Sequence, residues 1–367
     1  MSYRPRPPWS DRYKQNWDDA YRRMMAWWSG AGADRPLVLQ AVPRPGAAPL
    51  DPRVDPGSLE RQDLDERYQL ALARHRLEGN VFPAEAAAAV RTGYGSTLCL
   101  LGAMAGAPTI YRADTNTAWI GEVPNLYDRE VPQFDPACPP YAFTIRMIHR
   151  FHETFGYDAL LGASPMLDPL TTLSMMRGPE QLCVDLVERP ETVRRWTRRL
   201  GDLHLAIVTG FRAARAEHGR REDIGWTALW APGDMDAVQC DFSTMLSPAM
   251  FREFVMPELE RQLDFYDYAV WHLDGTDEIR HLDAILSLKK VRAIQWVDER
   301  GRRPLEYVDL FRRIRQSGRS VLPFGIRDVD MAVEFTRALG RDGLAFLTLG
   351  VKTVQEMEAA LKRLAAV

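Results

Sequence analysis

The sequence lacks the features that mark several function classes. Its four cysteines, Cys99, Cys138, Cys183 and Cys240, are scattered over 367 residues with no Cys-x-x-Cys pair. That argues against a disulfide framework and a four-thiolate zinc site, and leaves small buried apolar residues as their default role. No apolar run approaches the length that crosses a bilayer, and the start, MSYRPRPPWSDRYKQNW, is charged and aromatic where a secretory signal would be apolar. The expected location is therefore the cytoplasm, with no membrane partner. A dominant charge is missing too: 47 Lys+Arg against 50 Asp+Glu leave a net charge of −3 and no basic stripe for nucleic acid. No glycine-rich turn follows the first strand candidate, which disfavours an open dinucleotide-binding sheet, and RTGYGS at 91–96 reads as a loop.

What is present has the composition of a globular protein, 46% apolar and 26% charged, and points to small-molecule chemistry. Residues 11–30 have helix composition and stop at Gly30, so residues 1–35 read as an N-terminal helical extension and 36–367 as one domain. The aromatic extension, with Trp17, Trp27 and Trp28, can cover its own domain or a second copy, which leaves a homodimer open. Apolar strand candidates fall at 37–42, around Cys99, and at 158–163, 224–230, 268–273, 291–297, 319–324 and 344–349. Helical patterns at 179–188, 191–216, 248–266, 278–288, 304–317 and 328–339 separate the later ones. Eight strands alternating with helices predict an α/β fold, a (β/α)8 TIM-type barrel, with an insertion between strands 2 and 3 that begins as a hairpin near Thr109.

In such a barrel chemistry sits at the C-terminal strand ends. The triplet His-Leu-Asp occurs twice, at 272–274 and 281–283. On a strand, His272 and Asp274 point to the same side and can face the barrel mouth. On a helix, His281 and Asp283 diverge by roughly 200° and cannot share a ligand, so the second copy is expected to face solvent or cap a helix. Other strand ends supply Trp230, Asp234, Gln295, Trp296, Asp298, Arg327 and Asp328. Alternation sends Trp271 away from His272 into barrel-to-helix packing, while Trp230 and Trp296 are expected to wall the pocket.

The segment VQCDFSTMLSPAMFREFVMPELERQ, followed by WHLDG, resembles the uroporphyrinogen decarboxylase superfamily. There an acidic residue, a Leu-Ser-Pro helix start and a Phe-x-x-Phe-x-x-Pro helix precede a strand that ends in a histidine motif and glycine. The likeness is strongest over 157–297, and GVKTVQEMEAALKRL resembles the closing helix. In the motif itself Ser247 suits a helix cap, Pro248 its first turn and Pro257 a break or kink.

The resemblance implies a (β/α)8 barrel enzyme with one of two chemistries: cofactor-free decarboxylation, or metal-assisted methyl transfer involving a corrinoid or a thiol. Its N-terminal carboxylate-gripping motif is reduced here to Arg35 and Arg44, so uroporphyrinogen itself is not the expected substrate. In place of His-x-Cys stands His272-x-Asp274, and no cysteine follows Cys240. The reading is an acid/base lyase of decarboxylase type acting on a small carboxylated molecule, with His272, Asp274 and Asp241 catalytic. Trp230, Gln239, Gln295, Trp296 and Arg327 are assigned to substrate, with Arg91 as a further carboxylate binder. A divalent metal on His272, Asp274 and Gln295 is the open cofactor question. The alternatives are a corrinoid- or thiol-type methyltransferase with a non-standard metal or with Cys240 as thiolate, and a non-catalytic binding barrel.

Overall fold

The computed structural model describes residues 6–91, 97–130, 132–162 and 166–367. Most of the 91–96 loop expectation lies outside them.

The contiguous sheet is parallel and runs Met235–Val238, Tyr268–Asp274, Val291–Val297, Ser320–Pro323. A bridge from Val321 to Leu344 leads to Ala345–Phe346, which pairs in parallel with Leu37–Val38. A separate parallel pair joins Ala89–Arg91 to Leu160–Gly162. The helices Pro190–Ala216, Met256–Phe265, Val308–Gln316 and Val329–Leu339 lie between successive strands in the chain. The fold is thus mixed α/β with parallel strands. Tyr268 to Leu273 are buried without a break, because helices cover a parallel strand on its outer face while its inner face points into the core.

Two strand expectations fail. The apolar run around Cys99 folds as the helix Leu100–Met104, and the nearby parallel strand is the short Ala89–Arg91. A run of that length fits either state, and its packing against Ile120 of the next hairpin settles it. The 224–230 run folds back on itself: Asp223–Ile224 pairs antiparallel with Trp230–Ala231. Gly225 N donates to the Leu229 carbonyl at 2.9 Å across a turn in which Ala228 takes φ 61°. The strand that joins the sheet is instead Met235–Val238, hidden in the sequence by Asp234 and Asp236. Asp234 pairs with Arg212 and Arg215 at 2.8 and 3.0 Å, and Asp236 accepts from Tyr266 Oη at 3.1 Å.

The expected hairpin is present, Thr109–Arg112 against Thr117–Ile120. Ser247 caps its helix, accepting from Met250 N at 3.2 Å. That helix passes through a π-turn, Phe251–Val255, just before Pro257, a local widening that accommodates a residue without an amide hydrogen.

The aromatic N-terminal helix, Trp17–Trp28, packs on its own chain. Trp28 Nε1 donates to Trp230 O at 2.9 Å, and Ser320 Oγ donates to Trp27 O at 2.6 Å. These contacts fall at the beginnings of strands, opposite the end where His272 and Asp274 lie. Arg35 is committed nearby: its guanidinium meets the buried Glu85 carboxylate through two bonds of 2.8 Å, so it is not offered to a substrate. Arg44 donates to the Glu78 and Asn80 carbonyls at 2.9 and 3.2 Å.

A pH-dependent stability term follows from His204, which is 1% exposed on the long helix Pro190–Ala216. Burial holds its pKa at about 4, below the usual 6.5. The unfolded chain takes up a proton near pH 6.5 that the folded chain refuses until about 4, so His204 lowers stability as pH falls through that window. In urea titrations His204→Leu is expected to remove up to about 3 kcal/mol of the wild-type loss between pH 6.5 and 4. Parallel pH profiles for the two proteins would contradict it.

Candidate functional site

Three segments bring the chemistry together at the C-terminal ends of the central strands. His272 and Asp274 close the strand Tyr268–Asp274, two apart and on one side. Gln295 is the direct partner of His272 in the next strand. Asp241 opens a short 3₁₀ turn three residues beyond Val238. One ligand atom from each of Asp241, His272 and Asp274 lies within 4.8 Å of the other two.

Each group is held. Gln295 Oε1 makes a short hydrogen bond with His272 Nδ1, so the amide oxygen accepts Nδ1–H and Nε2 keeps its lone pair. Glu278, fully buried, accepts from Asp274 N at 2.9 Å through Oε2 and bonds Ser243 Oγ at 2.6 Å through Oε1. Gln239 Nε2 donates to Asp241 Oδ2 at 3.4 Å. Trp226 stands edge-on to His272, ring centres 4.9 Å apart, and edge-on to Phe324 at 5.9 Å.

The electrostatics are those of crowded, dehydrated carboxyl groups. Burial, with Asp168 and Asp274 nearby, raises Asp241 to about 7. Burial also raises Asp168, which caps the helix Pro169–Arg177 by accepting from Leu170 N and Thr171 N at 2.9 and 3.0 Å. Glu278 is pushed well above its ordinary value by burial. His272 is pushed down by burial against the opposing pull of Asp274 and Gln295, contrary to the raised value expected beside a carboxylate. The Asp241 Oδ1 atom is buried without a hydrogen-bond partner among the described residues. Such orphan acceptors call for a proton or a cation.

The structure therefore gathers His272, Asp274, Asp241, Gln239 and Gln295, and separates the rest. Trp230 is fully buried against Trp9, Trp17 and Tyr21, with Nε1 on the Glu85 carbonyl at 2.9 Å, so its ring packs against the N-terminal segment. Trp296 is fully buried against Tyr307, because Gln295 takes the inward side and period two sends its neighbour outward. Trp271 goes outward against Phe251 as expected. Arg327 is exposed, and among the described residues no hydrogen bond or ion pair joins it to the cluster. Gln295 is occupied by His272, so it orients a ligand in place of being one.

Cys240 is no thiolate: burial and the surrounding Asp168, Glu278 and Asp241 carboxyls raise its pKa well above the usual thiol value. The second triplet splits as expected, with Asp283 exposed and paired to Arg313. His281, however, is buried, stacked on Phe251 with ring centres 4.4 Å apart and bonded through Nε2 to Ser243 O at 2.9 Å. It helps seat the turn that carries Asp241.

Asp168, Glu278 and Trp226 were not found from the sequence. Asp168-Pro169 reads there only as a helix cap, and Glu278 as one acid among several in a polar turn. Outer partners of this kind typically change ligand affinity 10–100-fold, so for a divalent ion placed on Asp241, His272 and Asp274 Gln295→Leu is expected to weaken binding by about that factor in a competition titration with a chromophoric chelator. Unchanged affinity would show that the His272 ring needs no such orientation.

No protein-family profile and no curated protein sequence matches this chain. Among solved structures, a methyltransferase from Methanosarcina mazei matches with a TM-score of 0.59 and 16% sequence identity, over 95% of this chain and 98% of that one. At that identity the likeness is one of fold.

Proposed function

We propose that the chain is a methyltransferase of the corrinoid or thiol type on a closed eight-stranded β/α barrel, with a divalent ion held by Asp241, His272 and Asp274. The observation that carries this reading is the convergence of those three ligand atoms within 4.8 Å at the strand ends. Pairing of the first parallel strand, Leu37–Val38, with the last, Ala345–Phe346, supports closure of the barrel. The fold-level match to a methyltransferase supports the reaction class.

The residues fit an ion. Asp241 Oδ1 is a buried acceptor without a hydrogen-bond partner among the described residues, and the Asp241 and Asp274 carboxyls crowd one another unless a cation lies between them. One imidazole and two carboxylates suit zinc, manganese or ferrous iron and not a thiolate-seeking ion. Bound there, such an ion would act as a Lewis acid and favour the thiolate form of a thiol substrate at neutral pH.

The chain's own residues prepare the place. Gln295 holds the tautomer that presents His272 Nε2, and Glu278 fixes the Asp274 backbone. Trp226 screens the imidazole edge from water. Methyl transfer then forms a sulfur–carbon bond as the donor's bond to the methyl group breaks, the electron pair leaving with the donor. The test is transfer from methylcobalamin to 2-mercaptoethanol by the metal-loaded protein, followed by the loss of methylcobalamin absorbance. Absence of turnover from a stoichiometrically loaded protein with this pair and with other thiols would reject the reaction.

Burial, which raises the Asp241 carboxyl to about 7, favours a second reading, an acid/base lyase in which Asp241 delivers a proton and neutral His272 accepts one. It predicts activity that a chelator leaves unchanged.

A further inference from the structure

We infer that the chain carries a second ligand site, an apolar cleft rimmed by Arg76 and Arg91 that takes a short-chain carboxylate. The cleft has a volume of about 230 Å³. It opens where three strands end: Arg91 and Ile224 are the last residues of theirs, and Leu39 follows Leu37–Val38. Leu39, Phe82, Val90 and Ile224 give it an apolar floor, and no acidic side chain among the described residues lines it.

The charge balance of the cleft is the telling feature. Acidic residues outnumber basic ones over the whole chain, 50 to 47, yet this lining has two arginines and no carboxylate. Arg76, on the helix Glu66–Glu78, stands exposed at the rim with no ion pair or hydrogen bond for its guanidinium among the described residues. Arg91 is anchored, donating through Nη1 to Gly225 O at 2.9 Å, which sets its orientation across the cleft. The two amides on the rim are already engaged: Gln69 Nε2 bonds Gln62 O and Asn80 Nδ2 bonds Arg76 O, at 2.7 and 2.8 Å. The Arg76 guanidinium is therefore the group that faces a ligand's charge, with the anchored Arg91 beside it.

A planar fork of N–H donors matches a carboxylate bidentately, and the apolar floor suits an alkyl body. The volume is below the roughly 300–1,000 Å³ of drug-sized pockets, so the ligand is small. A compact doubly charged phosphate would leave the floor empty. The Gly225–Ala228 turn links this cleft to the catalytic centre, since Trp226 in that turn touches His272 while Ala228 lines the cleft.

Thermal unfolding with sodium hexanoate tests the site, with sodium phosphate at equal ionic strength as the comparison. The readout is binding, so it stands apart from methyl transfer. Saturating hexanoate is expected to raise the wild-type midpoint by about 2 °C, and phosphate by much less. Arg76→Met should abolish the shift. Leu72→Glu should abolish it too, because a glutamate four residues before Arg76 pairs with the guanidinium along the helix; as a half-exposed position it also serves if Arg76→Met folds poorly. No wild-type shift, a shift that survives both substitutions, or an equal shift with phosphate would overturn the proposal.

Discussion

His272→Ala is expected to lower affinity for a divalent ion by more than about 100-fold, beyond the range of an outer partner, and to abolish methyl transfer while the chain stays folded. His272 is the ligand with the least slack. The residue is 9% exposed, its ring is locked to Gln295 through Nδ1, and it lies near the end of the best-paired strand of the sheet. Removing the imidazole leaves two carboxylates, Asp241 and Asp274, that then share charge without a neutral donor between them. Asp241→Asn should mimic the loss with a smaller change of shape, because it removes charge and keeps volume. Gln295→Leu should fall between wild type and His272→Ala. The measurement is metal affinity by competition titration together with methylcobalamin turnover, on proteins shown folded by thermal unfolding. Wild-type affinity in His272→Ala would move the ion elsewhere and remove the basis of the proposed function.

The second large effect lies far from the chemistry. Trp230→Ala is expected to destabilise the chain by about 3–5 kcal/mol, the range for a fully buried large aromatic side chain. Trp230 is 0% exposed, meets Trp9 and Trp17 edge-on at 5.4 and 5.7 Å, and satisfies its indole on Glu85 O. Its loss should loosen the N-terminal segment first, since Trp9, Trp17 and Tyr21 all close on it. Metal affinity per folded molecule should not change. A stable Trp230→Ala protein with impaired metal or substrate binding would restore Trp230 to the pocket and contradict its placement against the N-terminal helix.

The parts of this architecture that a reader of the sequence can see are those set by local chemistry. The strands 268–274 and 291–297 are near-continuous apolar runs, and the two-residue spacing of His272 and Asp274 tells which side they share. The Ser247-Pro248 start is a cap whose meaning does not depend on the rest of the fold. Strands such as Ala89–Arg91 and Met235–Val238 are too short, or too interrupted by acids, for periodicity to show, and only ion pairs such as Arg212–Asp234 explain why Asp234 sits there.

The tryptophans divide on the same ground. Period two, applied from His272, sends Trp271 outward, and the same rule applied from Gln295 sends Trp296 outward, once the register pairing the two polar residues is known. Trp230 needed the hairpin turn at Ala228, which nothing in 224–230 advertises. Asp168 and Trp226 join the site through tertiary contacts alone, whereas Glu278 reaches back four residues to Asp274 N from a turn that the sequence does not mark as buried. Sequence spacing carries no signal for them.

The most direct test of the central claim is the metal content of the purified wild-type chain beside Asp241→Asn, each equilibrated with zinc or manganese and desalted before elemental analysis. About one divalent ion per wild-type chain is expected and far less in the variant, since the site needs all three donors. Metal-free wild type, or equal metal in both proteins, would contradict it and leave Asp241 and His272 as an acid/base pair.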